Sequence, residues 1–445
     1  MSARPLTRSS IFAQAWPIIL GQTTVPLVGL ADTIVIGRTG DAAALAGVAL
    51  GTTIINFLFW SFGFLRMGMT GMTAQAQGAG DDAEVRAMLV RGLALGLAIG
   101  AGLFVLQWLL IPAAFALLAG GEALDASAKG YVAARFWGAP ASLAVFAING
   151  WLLGLGRTRA ALVLQIVMNL VNVCLDIAFV WHFGMGAAGV GLGTAIAEWT
   201  ALGTGIGIAL FVLGPGALKR VMAERRDLFT HDAIRRLFAV NANIMVRTVA
   251  LLLLFAWFAN AGARLGTVPL AANQVLMQFV SVSAFVLDGF AFTAEARIGG
   301  AIGRGSKADY LRSIRLTGEF TLAAGLVFAA VIWFAGGPVI GFVTDNEAVR
   351  AQAGDLLHWT ALVPLIGAPA WLFDGIFIGA TRGGALRNAA IASTAAYIAT
   401  DLALRPLGSD GMWIALLAAY GYRAIALGWY LPGLTRSIAP APRAA

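Results

Sequence analysis

The chain has 445 residues, 59% of them hydrophobic and 12% charged, with a net charge of +8 and a mean hydropathy of +0.82. A soluble globular chain carries about 45–50% apolar and about 25% charged residues, so this composition excludes an ordinary water-soluble core and points to lipid as the solvent. A single cysteine, Cys174, excludes an intramolecular disulfide, and the scattered His182, His231 and His358 offer no metal-ligand spacing. No Gly-rich phosphate loop ends in Lys-Ser/Thr, which argues against ATP coupling within the chain. No cofactor is expected.

A membrane-crossing helix needs roughly 20 mostly apolar residues. The segment Met1–Ser10 is basic and polar, and the first apolar run is long enough to span, so it reads as a helix rather than a signal peptide. In chain order the predicted spans are 11–36, 45–75, 88–113, 130–154, 160–183, 188–213, 236–261, 268–296, 312–335, 354–379, 387–405 and 411–432. These twelve make an all-α polytopic membrane protein with both termini on one side. The inner-side segments would hold Arg4, Arg8, Arg86, Arg91, Arg157, Arg159, the basic run from Lys219 through Arg225 and Arg226 to Arg236, then Arg304, Lys307, Arg312, Arg315, Arg382, Arg387, Arg436 and Arg443. The alternate loops would hold only Arg38, Lys129, Arg135, Arg264, Arg350 and Arg405. By the positive-inside rule both termini are expected in the cytoplasm. The basic residues thus report orientation, and no nucleic-acid partner is expected.

A constant shift of 225 residues relates Gly78 to Gly303, Gly150 to Gly375, Gly154 to Gly379, Arg157 to Arg382 and Asp176 to Asp401. Repetition at one offset across separated blocks predicts two six-helix halves, 1–213 and 236–445, joined by a basic linker at 214–235. Six spans return the chain to its starting side, so the halves are parallel repeats, and sites in transporters built this way lie near the midplane.

Ionisable groups in mid-membrane cost roughly 2.5–3.5 kcal/mol each on insertion scales, so they face a cavity or a partner. Asp32 lies deep in the first span, which also holds Pro17 and Pro26; each proline removes a backbone donor, and a kink is expected. Asn172 and Asp176 are four apart in the fifth span, on one helix face, with Asn169 beside them. Asp32 and Asp176 are the candidates for binding a coupling proton or cation. Asp288 and Glu295, in the eighth span, are read with Arg247 and Arg297 as structural ion pairs. Asp374 in the tenth span occupies the repeat position of Asn149, at a cavity or in the packing. Asp401 and Glu198 are read as structural. Tyr131, Gln165 and Thr194 are uncharged hydrogen-bonding candidates. A buried carboxyl group that is protonated from one side and ionised on the other makes proton and cationic substrate compete for one charge.

The block Val-Gly-Leu-Ala-Asp32-Thr-Ile-Val-Ile-Gly-Arg-Thr-Gly resembles the multidrug and toxic compound extrusion (MATE) family, as do Gln77-Gly-Ala-Gly-Asp81, Asn172-Val-Cys-Leu-Asp176 and Gly379-Ala-Thr-Arg382. The resemblance covers roughly 11–432. Leu287-Asp-Gly-Phe-Ala and Phe373-Asp-Gly-Ile-Phe-Ile-Gly379 are similar to the DinF branch. It implies a V of two six-helix bundles and cation-coupled efflux. It also implies an N-terminal hydrogen-bond network of Asp32, Tyr131, Asn149, Asn172, Asp176 and Thr194, in which protonation of the helix 1 acid bends that helix and expels substrate. Pro17 matches the family's helix 1 proline. The sodium-coupled NorM branch carries an acid on helix 7; span 236–261 has none and contains Arg247. Sodium at Asp32 and Asp176 stays open, because Asp, Asn and Thr oxygens suit hard cations.

The expected function is secondary active export of small organic, cationic or amphiphilic compounds in exchange for protons, by alternating access. A sodium-coupled exporter and a lipid-precursor flippase of the same superfamily are the alternatives. No nucleophile–base pair or repeated selectivity filter supports an enzyme or a channel. A monomer in a bacterial inner membrane is expected, with small-molecule substrates and the bilayer as partners.

Overall fold

In a bilayer every backbone N–H and C=O must be satisfied within the protein, and a continuous i to i−4 ladder does this inside one segment. A computed structural model gives residues 6–118, 122–224 and 228–438, helical almost throughout, with no strand among them. Arg4, Arg225, Arg226 and Arg443 lie outside the described residues. The helices, in chain order, are α1 (Arg8–Gly37), α2 (Ala42–Trp60), α3 (Phe64–Ala79), α4 (Asp82–Leu118), α5 (Glu122–Phe136), α6 (Ala139–Gly154), α7 (Thr158–Ile177), α8 (Gly186–Leu213), α9 (Ala217–Ala223), α10 (His231–Leu265), α11 (Thr267–Gly303), α12 (Lys307–Val343), α13 (Glu347–Gly379), α14 (Gly383–Leu404) and α15 (Gly408–Arg436). Polar side chains start several of them: Asp41, Ser306 and Asn346 accept from the N–H of Ala44, Asp309 and Val349 at 3.0, 3.2 and 3.1 Å.

Ten stretches are long and apolar enough to cross a membrane, and the bent pair α5–α6 makes an eleventh. The last stretch, 383–436, contains both α14 and α15, which turn at Arg405–Leu407 and pack along each other. The apolar side chains of these helices face outward in numbers no aqueous surface tolerates: Trp108 is 84%, Phe334 82% and Phe342 92% exposed. The chain is therefore a multi-pass membrane protein.

Two expected spans are broken. Span 45–75 is α2 and α3, parted at 61–63. Span 130–154 is α5 and α6, which meet at a 54° bend. At the bend Pro140 has no N–H to continue the ladder, and Trp137 and Gly138 make only turn hydrogen bonds to Ala134 and Arg135. The kink expected in the first span is not a break: α1 continues through Pro17 and Pro26.

The chain separates into two compact units, Leu20–Thr73 with Asp81–Leu237, and Met1–Ile19 with Ala74–Gly80 and Phe238–Ala445. In the first, α8 packs on α5, α6 and α7, α2 on α5, and α4 on α6. In the second, α13 packs on α11, α12 and α15 around a core that includes Phe258, Leu276, Tyr397, Trp413 and Tyr420. Chain order alone would keep all of α3 with the N-terminal half. Its last turn instead belongs to the second unit, where a Cβ on Gly78 would strike the Gly300 carbonyl and one on Gly303 would strike the Gln75 carbonyl. Only glycine permits that approach.

Candidate functional site

The N-terminal unit gathers its polar side chains from six helices. On α7, residues 169, 172 and 176 follow one another at helical spacing, so their side chains form one stripe. Gln165 donates to Asn169 at 2.9 Å, and Asn169 donates to Thr24 of α1 at 2.8 Å. Asn172 donates to Asp176 at 3.1 Å and to the Thr194 hydroxyl of α8 at 3.0 Å. Asp32 and Asp176 are both buried, and their carboxyl groups lie in hydrogen-bond contact. The Oδ1 atoms of both are buried and accept no hydrogen bond.

The local backbone makes room for this pair. A Cβ on Gly193 would overlap Asp176 Oδ1. Immediately after Asp176 the helix widens into a π-turn, Ala178–His182, a feature frequent at functional sites. From that turn Trp181 donates to the Val35 carbonyl at 2.8 Å, which ties the end of α7 to the end of α1.

Tyr131 of α5 is buried and accepts from the Thr52 hydroxyl of α2 at 3.1 Å. One turn on, Arg135 is also buried; it pairs with Glu198 of α8 at 2.8 Å and lies over the Phe59 ring at 5.4 Å. Arg135 was expected in an outer loop, and Glu198 was read as packing. Arg135 stands instead in the last turn of α5, at the break, close enough to act electrostatically on Asp32, Asp176 and Tyr131. Asn149 is half-buried on α6, with an Oδ1 that accepts no hydrogen bond.

Asp374 belongs to the other unit. The structure pairs it with Arg247 and sets Arg423 3.5 Å away. Arg247 was expected beside Asp288 and Glu295. Glu295 is buried on α11, where its backbone carbonyl abuts Gly379, and Asp288 is half-buried near Tyr420. In the same unit Asp401 is buried, accepts from the Trp257 indole at 2.8 Å, and faces Arg264 and Arg405 at 3.8 and 3.9 Å.

Arg86 of α4 grips Glu224 of the linker through Nε and one terminal nitrogen of its guanidinium, the Nε contact measuring 3.0 Å. That fork holds the Glu224 carboxyl below the usual carboxylate range. Arg91 joins Glu84 at 2.8 Å and donates to the Leu228 carbonyl.

The chain as a whole is similar to known proteins. The family model described as MatE matches residues 17–178 and again 243–401, the two repeats in turn. DNA damage-inducible protein F of Escherichia coli (strain K12) is 36% identical over 413 residues, covering 93% of this chain and 89% of that protein. The crystal structure of a Vibrio cholerae MATE transporter in its bent form is similar at a TM-score of 0.85 and 18% identity, over 97% of both chains. A MOP superfamily transporter of Pyrococcus furiosus, described as having a binding pocket of reverse polarity, is similar at a TM-score of 0.83 and 18% identity, over 97% of this chain and 96% of that one.

Proposed function

The chain belongs to the MatE family of membrane transporters, and from that premise we propose that it exports small organic compounds, cationic or amphiphilic, in exchange for protons. The observation that supports this is the Asp32–Asp176 pair, two buried carboxyl groups in contact on α1 and α7. With one proton the pair carries a single negative charge and attracts a cation. A second proton cancels that charge and releases the cation. Exchange follows when each ligand biases the equilibrium between inward- and outward-open forms.

In this reading Asn172, Thr194 and Tyr131 orient the pair, and Asn149 offers a free acceptor to the substrate. Asp374, bound by Arg247 and Arg423, serves the packing of the C-terminal unit. The basic residues of the linker and of the helix ends support cytoplasmic termini, with the chain working as a monomer in a bacterial inner membrane.

Sodium is the second reading for the coupling ion. Asp32, Asp176, Asn172 and Thr194 supply the oxygens a hard cation takes. The test is a liposome assay with a pH gradient and no sodium, following a lipophilic cationic dye. Gradient-driven movement that disappears in Asp32→Asn supports proton exchange through the pair. Movement only under a sodium gradient assigns the pair to sodium. Absence of movement under either gradient rejects drug export and brings a lipid-precursor flippase forward.

A further inference from the structure

The break between α5 and α6 carries a buried ion pair that proton exchange by itself does not need. Arg135 and Glu198 are each more than nine-tenths buried as side chains and 2.8 Å apart. The Glu198 carboxylate lies where a Cβ of Gly138 would stand, inside the break, and takes a hydrogen bond from Ser142 on the first turns of α6. It therefore contacts both sides of a 54° bend. On its other side the Arg135 guanidinium lies near enough to the carboxyl pair and Tyr131 to act on them electrostatically. The charged and titratable groups around Arg135 are Asp32 from α1, Tyr131 from its own helix, Asp176 from α7 and Glu198 from α8. The helices α2 and α6 contain no charged residue and contribute Phe59 and Ser142.

With one proton on the pair, Arg135 stands between two single negative charges, the pair and Glu198. We propose that Arg135 and Glu198 are positioning residues of the coupling site: Arg135 is the tethered counter-ion of the Asp32–Asp176 pair, and Glu198 holds it at the α5–α6 break while the pair keeps both protons. When the pair gives up one of them, its negative charge draws Arg135 away from Glu198. The carboxylate at Gly138 loses its partner, and the bend is free to change its angle. Loss of a proton at α1 and α7 is thereby felt as release of a latch in the fourth span. This inference rests on the carboxyl pair being the coupling site.

The experiment is the pH profile of dye export in proteoliposomes for the native chain, Glu198→Gln, Arg135→Gln and Arg135→Lys. Glu198→Gln leaves Arg135 to the carboxyl pair alone, so the proton is held less tightly and the midpoint moves to lower pH by about one unit. Arg135→Gln removes the counter-ion, and the midpoint moves to higher pH by a similar amount. Arg135→Lys returns it close to the native value. Shifts of opposite sign are outside what a purely structural pair produces. The proposal is overturned if both glutamine variants shift the midpoint the same way, if they lose activity with the midpoint unmoved, or if lysine does no better than glutamine. If the native chain moves no dye, export fails as a function, and this inference is judged instead on the thermal melting midpoint of the same detergent-purified variants against pH. The same opposite displacements are then expected, and coincident curves overturn it. Should a single variant fail to fold, Arg135→Gln with Glu198→Gln buries no lone charge. Its midpoint is expected above the native one, and an unmoved midpoint counts against the proposal.

Discussion

The indole of Trp257 donates a 2.8 Å hydrogen bond to Asp401, and these residues stand 225 positions beyond Asp32 and Asp176. The repeat has kept the contact and changed the chemistry. In the N-terminal unit the contact joins two acids. In the C-terminal unit one acid has become a fixed donor, and Asp401 has the standing cations Arg264 and Arg405. The same offset turns Glu198 into Arg423 and Asn149 into Asp374, so the ion pair of each half is built from different members. Proton coupling is accordingly expected in the N-terminal unit alone. In the liposome assay Asp176→Asn abolishes pH-driven export, whereas Asp401→Asn retains it and lowers stability by about 1–3 kcal/mol. Equal loss in both variants would contradict this division.

Room for the acid pair depends on a missing methyl group. A Cβ on Gly193 would overlap Asp176 Oδ1, while one on Gly203 of the same helix would meet nothing within 4 Å. Overpacking a tight contact costs typically about 1–3 kcal/mol, and here the nearest atom to move is a carboxyl oxygen of the site. Gly193→Ala is expected to slow export by about tenfold, and Gly203→Ala to match the native rate. Initial rates at matched protein incorporation decide it.

How much of this was legible beforehand depended on whether the signal was local. Asp32, Asn172 and Asp176 announced themselves because a polar group inside an apolar run is costly and helical spacing says which of them share a face. The twelve-helix plan was legible for the same reason, since lipid allows few other solutions. Arg135 was hidden by its position. It stands two residues before Trp137-Gly138, near a predicted span end, where a charge is ordinarily solvated. Pro140 and Gly138 were the available sign of a break, yet both occur within unbroken membrane helices too, as Pro364 and Pro369 do in α13. The contact of Arg247 with Asp374 was equally out of reach: the two stand 127 residues apart, and only tertiary packing selects that pairing.

That selection has a measurable consequence. Asp374 is the common acceptor of Arg247 and Arg423, each about nine-tenths buried as a side chain. Asp374→Ala leaves both guanidinium groups short of a partner, and a loss of about 3–5 kcal/mol follows from stranding a buried charge. Asp374→Ala combined with Arg247→Leu removes one charge of each sign and should recover part of the loss. Melting temperatures in detergent test both; an additive double variant would mean that the two residues do not act as a pair.

The linker offers a pH test outside the membrane. Glu224 sits in the fork of Arg86, which holds its carboxyl below the usual range. A depressed acid contributes its stabilisation above the unfolded value and loses it as pH falls through the folded one. The contact should therefore hold α9 in place from neutral pH down through the ordinary carboxylate range, and give way below it. A nitroxide on Ala223→Cys, in a Cys174→Ser background, reports the motion of α9 by electron paramagnetic resonance. The spectrum is expected to stay constant between pH 8 and pH 5, then to sharpen as Glu224 takes up its proton. Arg86→Gln should give the sharp spectrum at neutral pH, since it leaves Glu224 charged but unheld. Arg86→Lys should fall between, because a point charge replaces a two-armed fork. A spectrum indifferent to both acid and Arg86→Gln would mean that α9 is anchored by Arg220, whose guanidinium donates to the Leu213 and Pro215 carbonyls at 2.9 Å each. Arg220→Gln, made alongside, separates the two anchors directly.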